Sequence, residues 1–565
     1  MRPPVIGATS RARRGATSRA RRGATSRARR RPRAHTATAI ALIAAGALAG
    51  CGGGGASTAP APQAHAQASV FIDLVGALPV SLDPLAEQGS AFDRLETSLA
   101  ATLVRPAGRP PGAATLAPAG ALVGFLATSW REIAGGDYVF DLRRGVRSAY
   151  GHSLTAADVS FSFRRELAGS ATARFLAGLA GIELGDPITA ISASRVRLNV
   201  AAPSPLAPAV LGDFRFGVLD SREVRSHESA ADPSARAWLS GHLASYGAYE
   251  LSQFEPARKL LLTASPHFWT RLAFSHLAIE AVPSATLRLQ DLAAAAASHT
   301  SDLDWTSLAT AARTSGISAT TLPSTAVSTL VPNERFRPFA SVLVRRALSL
   351  ALDRAAISRA AFAGYAKPAR HPVASTIALA PAIVAPTYAH DVVLARRLLA
   401  RAGYSHGFSF GLAYSAADGP ASPAEAAVIG RELRAIDLRV SARAVASNAV
   451  LARLARTGAA AAVLETAAVP IASASFAIAA SYLRGSPANI EDYGSAALDA
   501  LAATLTASAP EAAVTAALAR AVAIVGASYP VIPLVEVPAQ SVTLAGITGY
   551  AAYATQATYY DLLRR

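Results

Sequence analysis

Apolar side chains recur every four residues from Val159 through Phe163 to Leu167, directly behind Thr155-Ala156-Ala157-Asp158. A hydroxyl followed three residues later by an acid can satisfy the first free N–H groups of a helix, so a helix is predicted to start after Thr155. Val159, Phe161 and Phe163 also alternate, and the cap decides for helix. Upstream, Gly135-Gly136 offers a turn, because glycine takes positive φ at little cost. Tyr138-Val139-Phe140-Asp141-Leu142 follows as an aromatic, branched, partly alternating run, which predicts a strand after a hairpin turn. Val344, Leu348 and Leu352 form another helical stripe. Residues 395–402 end on Gly403, a glycine C-cap. Further helices are expected over 92–103, 286–297 and 425–436, and strands over 69–75, 259–264 and 461–464. Residues 170–220 read as short strands and turns.

The chain has 565 residues, enough for two or more domains with sizeable cores. It is 52% hydrophobic, yet no run beyond the first fifty residues reads as long and apolar enough to span a bilayer. The net charge of +17 falls to +5 once the twelve arginines of residues 1–50 are set aside. A nucleic-acid binder carries its basic patch on the folded domain, so that class is disfavoured. The basic segment repeats GATSRARR three times and cannot bury a core. It is either a long positive leader to a signal peptide or the product of a misplaced translation start. Residues 39–49 are apolar but too short to span comfortably, with arginines before and small residues after, the layout of a secretory signal. Leu48-Ala49-Gly50-Cys51 resembles a bacterial lipobox, which implies cleavage before Cys51 and lipid on its sulfur. Cys51 is the sole cysteine, so the chain holds no internal disulfide and no cysteine metal site. Residues 52–68 read as a flexible tether.

Leu126-Ala127-Thr128-Ser129-Trp130, then Tyr138 to Val146, then Gly151 to Ser162 fall in the order of one signature. That order resembles the extracytoplasmic solute-binding proteins of ABC importers, family 5, the peptide- and nickel-binding group. Ser81-Leu82-Asp83-Pro84, Ser265 to Trp269, Asp302-Leu303-Asp304, Val344 to Arg354, Ala395 to Tyr404, Tyr529 to Leu534 and Ile547 to Tyr550 resemble further family segments in sequence order. The resemblance implies an α/β, two-lobed periplasmic-binding-protein-like fold of class II type. It also implies an extra subdomain in the first lobe and a hinge between the lobes. The first lobe is expected over 69–325 plus 535–565, with the Ile532-Pro533-Leu534 strand returning to it, and the second over 326–534. The implied role is capture of a small-molecule or peptide solute for an ABC permease, at the outer face of the cell membrane through a lipid anchor, without cofactor or nucleic acid. A sensor built on the same fold is the first alternative, and a secreted enzyme or surface structural protein the second.

No catalytic constellation accompanies this pattern: H-E-x-x-H, a P-loop and G-x-S-x-G are all absent. His267, His276, His390 and His406 read as surface or capping residues. A solute site needs a concave cleft with aromatic walls and a few placed polar groups. Trp305, past Asp304 near the expected hinge, is the first candidate; packing in a lobe core is its alternative. Asn333 sits where the resembled family often has an asparagine. Peptide binders of that family carry an acidic Asp-Tyr segment that accepts the peptide amine. Here Val463 to Pro470 lacks it, and Glu465 is the candidate replacement, against the alternative of a solvated strand-end acid.

Overall fold

The computed structural model describes residues 69–86, 89–380, 383 and 388–565. The basic repeats, the apolar leader, Cys51 and the tether lie outside the described residues.

Branched and aromatic runs build two principal mixed sheets, whose central strands are largely buried and whose edge strands are partly exposed. The first sheet has seven strands, in the order Ile317–Leu322, Ala539–Leu544, His299–Thr300, Val70–Val75, His276–Ala281, Lys259–Ala264 and Tyr249–Glu255. Val70–Val75 runs parallel to both His276–Ala281 and His299–Thr300. The second sheet has six strands, in the order Lys367–Pro368, Ile532–Glu536, Val327–Pro332, Ala462–Ala467, Ser409–Ser415 and Arg439–Val445. A four-stranded sheet containing Ala127–Glu132 and Tyr138–Leu142 forms a separate layer under the helix Ala156–Gly169.

That helix begins as its sequence predicts. The Asp158 carboxylate accepts from the Thr155 backbone N–H at 2.8 Å, and both halves of the capping box are present. Val159 and Phe163 are fully buried behind it. Gly135 and Gly136 have φ of 92° and 90°, the left-handed turn between the two predicted strands. Residues 170–220 hold the expected short strands, Ile188–Ser192 and Arg195–Leu198, and also a helix not expected there, Ala171–Leu179, which Ser170 caps by accepting from the Ala173 N–H. Alanine-rich composition favours that helix.

Two other expectations are corrected. Ile532–Glu536 does not return to the first lobe; it pairs antiparallel with Val327–Pro332 in the six-stranded sheet. The crossing comes after Glu536, and Ala539–Leu544 is the strand that enters the seven-stranded sheet. Ile532, Leu534 and Val535 are apolar on both faces and fit the centre of either sheet, so the pattern alone could not choose. The helix Glu511–Ser528 is long and apolar enough, by length and composition, to cross a membrane. Here Ala517, Leu518, Ala521, Val522 and Val525 pack into the core beside the six-stranded sheet, and Ala512, Ala516, Arg520, Ala523 and Ala527 are exposed.

Candidate functional site

The connection out of the seven-stranded sheet passes through Ser324 and Thr325. The Thr325 hydroxyl bonds to Val469 O at 2.8 Å and to Ala554 O at 3.4 Å, and Gln556 Nε2 donates to Ser324 Oγ at 2.8 Å. Three chain passages are therefore tied together where the two lobes join. Away from this seam the lobes also touch. Leu116 N donates to Thr376 O at 3.0 Å, Ser508 N donates to Pro203 O at 2.7 Å, and Phe476 is buried in the apolar cluster of the four-stranded layer. Between these contacts Pro106, Leu116 and Pro118 face Pro470, Ile471 and Ala472, with Tyr553 and Ala554 at the floor, around a cavity of ≈ 30 Å³. That is room for about one water molecule, so the lobes meet closely.

Charged groups collect beside this seam at one end of the six-stranded sheet. Ser409–Ser415 and Ala462–Ala467 run parallel, and ligands of open α/β sheets bind beyond the carboxyl ends of such strands. Asp418 follows the first strand and Glu465 lies near the end of the second. Glu465 is half-buried and pairs in register with Thr329, whose buried hydroxyl has no partner. Burial, then the Asp418 charge, push the Glu465 carboxyl up to about 7, while Arg456 pulls it down. Burial pushes Glu491 up to about 8, with Glu465, Glu334 and Asp492 adding, and its Oε1 has no partner. Burial also raises Asp418, against a hydrogen bond donated by Asn448 Nδ2 at 2.8 Å. Among the described residues none of these three carboxylates makes an ion pair. Desolvated acceptors without an ion-pair partner are costly, and a cationic or donor-rich group would relieve the cost.

The structure does not bring the three sequence candidates together. Asn333 is buried, its Nδ2 donates to Ala455 O at 2.6 Å, and its Oδ1 accepts from Arg335 N at 3.0 Å. Its amide is spent on holding a turn. It lies beside Ala461, four residues from Glu465 along the strand, roughly 13 Å away. Trp305 starts the helix Trp305–Ala311 and packs against Phe362 and Tyr365, with ring centroids 5.6 and 5.9 Å away. It bridges the cores of the two lobes, which corrects its reading as a cleft wall in favour of its stated alternative. Glu465 is not a solvated acid, and it has company that sequence reading missed. Asp418 and Glu491 were legible only as acids in alanine-rich stretches. The four surface histidines are exposed as expected. His299, unremarked in the sequence, is fully buried with Nδ1 at 2.9 Å from Asp73 Oδ1.

Two α/β lobes joined by a multi-pass hinge, with acids at the carboxyl ends of parallel strands facing the seam, define a two-lobed binding protein. The sequence pattern of the bacterial extracellular solute-binding proteins, family 5 (middle region), matches residues 121–485, and the chain belongs to that family. Family and fold are those of binding proteins rather than enzymes. The fold is similar to that of the dipeptide-binding protein of Pseudoalteromonas sp. SM9913 in complex with Met-Leu (TM-score 0.76, 18% identity, 88% of this chain and 100% of that one). It is likewise similar to DppA of Helicobacter pylori in complex with the peptide STSA (TM-score 0.74, 19% identity, 88% and 98%). Heme-binding protein A of Haemophilus influenzae is 26% identical over 300 residues, 50% of this chain and 54% of that protein. Glutathione-binding protein GsiB of Shigella flexneri is 47% identical over 73 residues, 13% and 14% of the two chains. The chain thus spans about half or less of the length of the curated relatives it matches.

Proposed function

We propose that this protein is the solute-capturing lipoprotein of an ABC importer: it closes its two lobes on a small solute bearing a cationic group and presents that solute to a membrane permease. The carrying observation is that Asp418 and Glu465, at the carboxyl ends of two parallel strands, and Glu491, close enough to feel the Glu465 charge, are desolvated and lack an ion-pair partner among the described residues. An ammonium or guanidinium group seated there restores their ionised forms and satisfies the free Thr329 and Glu491 oxygens. The peptides bound by the structural relatives, and the glutathione and heme for which the sequence relatives are named, agree with a small organic solute. Trp305 and Asn333 act in this reading as scaffold, at the lobe contact and the strand-end turn. Cys51 carries the lipid that keeps the protein at the outer face of the membrane.

The test begins with mass spectrometry of the solute that co-purifies, followed by calorimetry on wild type and Glu465→Gln at pH 6 and pH 8. Cation binding favours the ionised carboxylate, so wild-type affinity should rise between these pH values. Glu465→Gln should weaken binding at least tenfold at pH 8 and flatten the pH dependence. Equal affinity of the two proteins at pH 8 removes Glu465 from the site.

A further inference from the structure

The free edge of the six-stranded sheet carries a charge pattern that solute capture does not use. Arg439–Val445 is the edge strand, and Arg439 and Arg443 point to the same face of it, two pleats apart. On the opposite face the helix Ala421–Leu433 runs into the turn Arg434–Ile436, and the helix Val392–Arg401 is bound to that turn by Arg396 Nε donating to Ala435 O at 2.7 Å. Arg396, Arg397, Arg401, Arg434, Arg439 and Arg443 are all exposed, and none of the six is in an ion pair among the described residues. The exposed acids on these elements and their flanks are Asp391, which caps the N-terminus of Val392–Arg401, and Asp437. This one corner therefore concentrates an excess of positive charge comparable to the +5 of the whole chain beyond residue 50.

We propose that this edge docks on anionic lipid headgroups at a bilayer surface. Arginine grips phosphate through a planar fork of donors, and an edge strand adds outward backbone N–H groups. A docking site for a folded protein has an apolar, aromatic-rich centre. The helix Val392–Arg401, the turn Arg434–Ile436 and the edge strand contain no aromatic residue, and Val393 is their one exposed large apolar side chain. Arginines on both faces of the edge suit a broad field of phosphates and not a pocketed anion. Charges of this kind also deter edge-to-edge aggregation, and the experiment separates the two roles.

Residues 1–50 would bind the same vesicles through their own arginines, so the test uses the chain from Ala66, which contains every described contact and forms one compact unit. Its sedimentation is measured with vesicles of phosphatidylglycerol and phosphatidylcholine in equal parts, and with phosphatidylcholine alone. The patch variant replaces Arg397, Arg401, Arg439 and Arg443 by Gln. The control variant replaces four exposed arginines of the first lobe, Arg131, Arg144, Arg222 and Arg313, by Gln, giving the same net charge. Binding should require phosphatidylglycerol and vanish near ~0.5 M salt, where screening shortens to a few ångströms. At about fivefold per surface arginine, the patch variant should bind over a hundredfold more weakly, while the control stays within threefold of wild type. Equal loss in both variants would mean net charge alone acts. No wild-type binding, or association of the patch variant into larger species without loss of binding, overturns the proposal in favour of an edge guard. Loss of solute uptake without any vesicle binding would overturn it in favour of a protein partner. Melting curves of both variants confirm that each is folded.

Discussion

Glu425 should make the protein lose stability as pH rises through neutrality. It sits on the helix Ala421–Leu433 with 1% of its surface exposed, and one Oε1 accepts from Ser328 Oγ at 2.6 Å. Burial, partly offset by that hydrogen bond, pushes its carboxyl from the ordinary 4.5 up to about 8. The folded protein therefore holds a proton that the unfolded chain releases above 4.5. This contribution to stability is complete below pH 4.5 and is lost as pH climbs through 8. Three to four pH units at 1.36 kcal/mol each put an upper bound of about 5 kcal/mol on the loss. Glu425→Gln keeps the shape and an oxygen for Ser328 to donate to, and it has nothing to ionise. Urea unfolding of wild type and variant at pH 5 and pH 8.5 isolates the effect, because Glu465 and Glu491 titrate in both proteins. The variant should lie within about 1 kcal/mol of wild type at pH 5 and exceed it by about 2–5 kcal/mol at pH 8.5. A gap of the same size at both pH values would refute the reasoning, since it would then arise from packing and not from a bound proton.

Two further outcomes are expected. Cys51→Ser should shift the protein from the membrane to the soluble fraction on cell fractionation, since in the proposed reading a diacylglyceryl group on Cys51 supplies the anchoring; unchanged retention would remove the lipid from that reading. Thr155→Ala should lower stability by about 1 kcal/mol, read as a shift of the denaturant midpoint, and Thr155→Ser should restore most of it, since the hydroxyl closes the capping box.

Local elements were readable because each is written within a few residues. The box at Thr155 and Asp158, the turn at Gly135-Gly136 and the strand Lys259–Ala264 stand where propensity and period put them. What failed was assignment between distant partners. Ile532–Glu536 has a pattern compatible with either sheet, and only the pairing with Val327–Pro332 decides. Trp305 was judged by rarity and position in the chain, while its ring is claimed by Phe362 and Tyr365 of the other lobe. Asn333 was chosen by position, and its amide bonds to two backbone groups. Glu465 could be named, but what sets its acidity is burial and then the charges of Asp418 and Arg456, 47 and 9 positions away in sequence. The arginine edge is likewise assembled from three elements spread over residues 396–443 and leaves no run in the sequence.

The first strand, Val70–Val75, holds one end of a bond that has to wait for almost the whole chain. Asp73 receives the Tyr560 hydroxyl at 2.8 Å across 487 residues, and Arg105 clasps Asp561 at 2.9 Å from a similar span. The six-stranded sheet needs nothing outside residues 327–536 to pair its strands. As the chain emerges from the ribosome, that lobe can therefore assemble while the earlier-made half of its neighbour still has open seams. Contacts this distant in sequence form slowly. The interval between synthesis of Val75 and synthesis of Tyr560 is then the period in which the chain is most exposed to proteases, with its N-terminal half the vulnerable part.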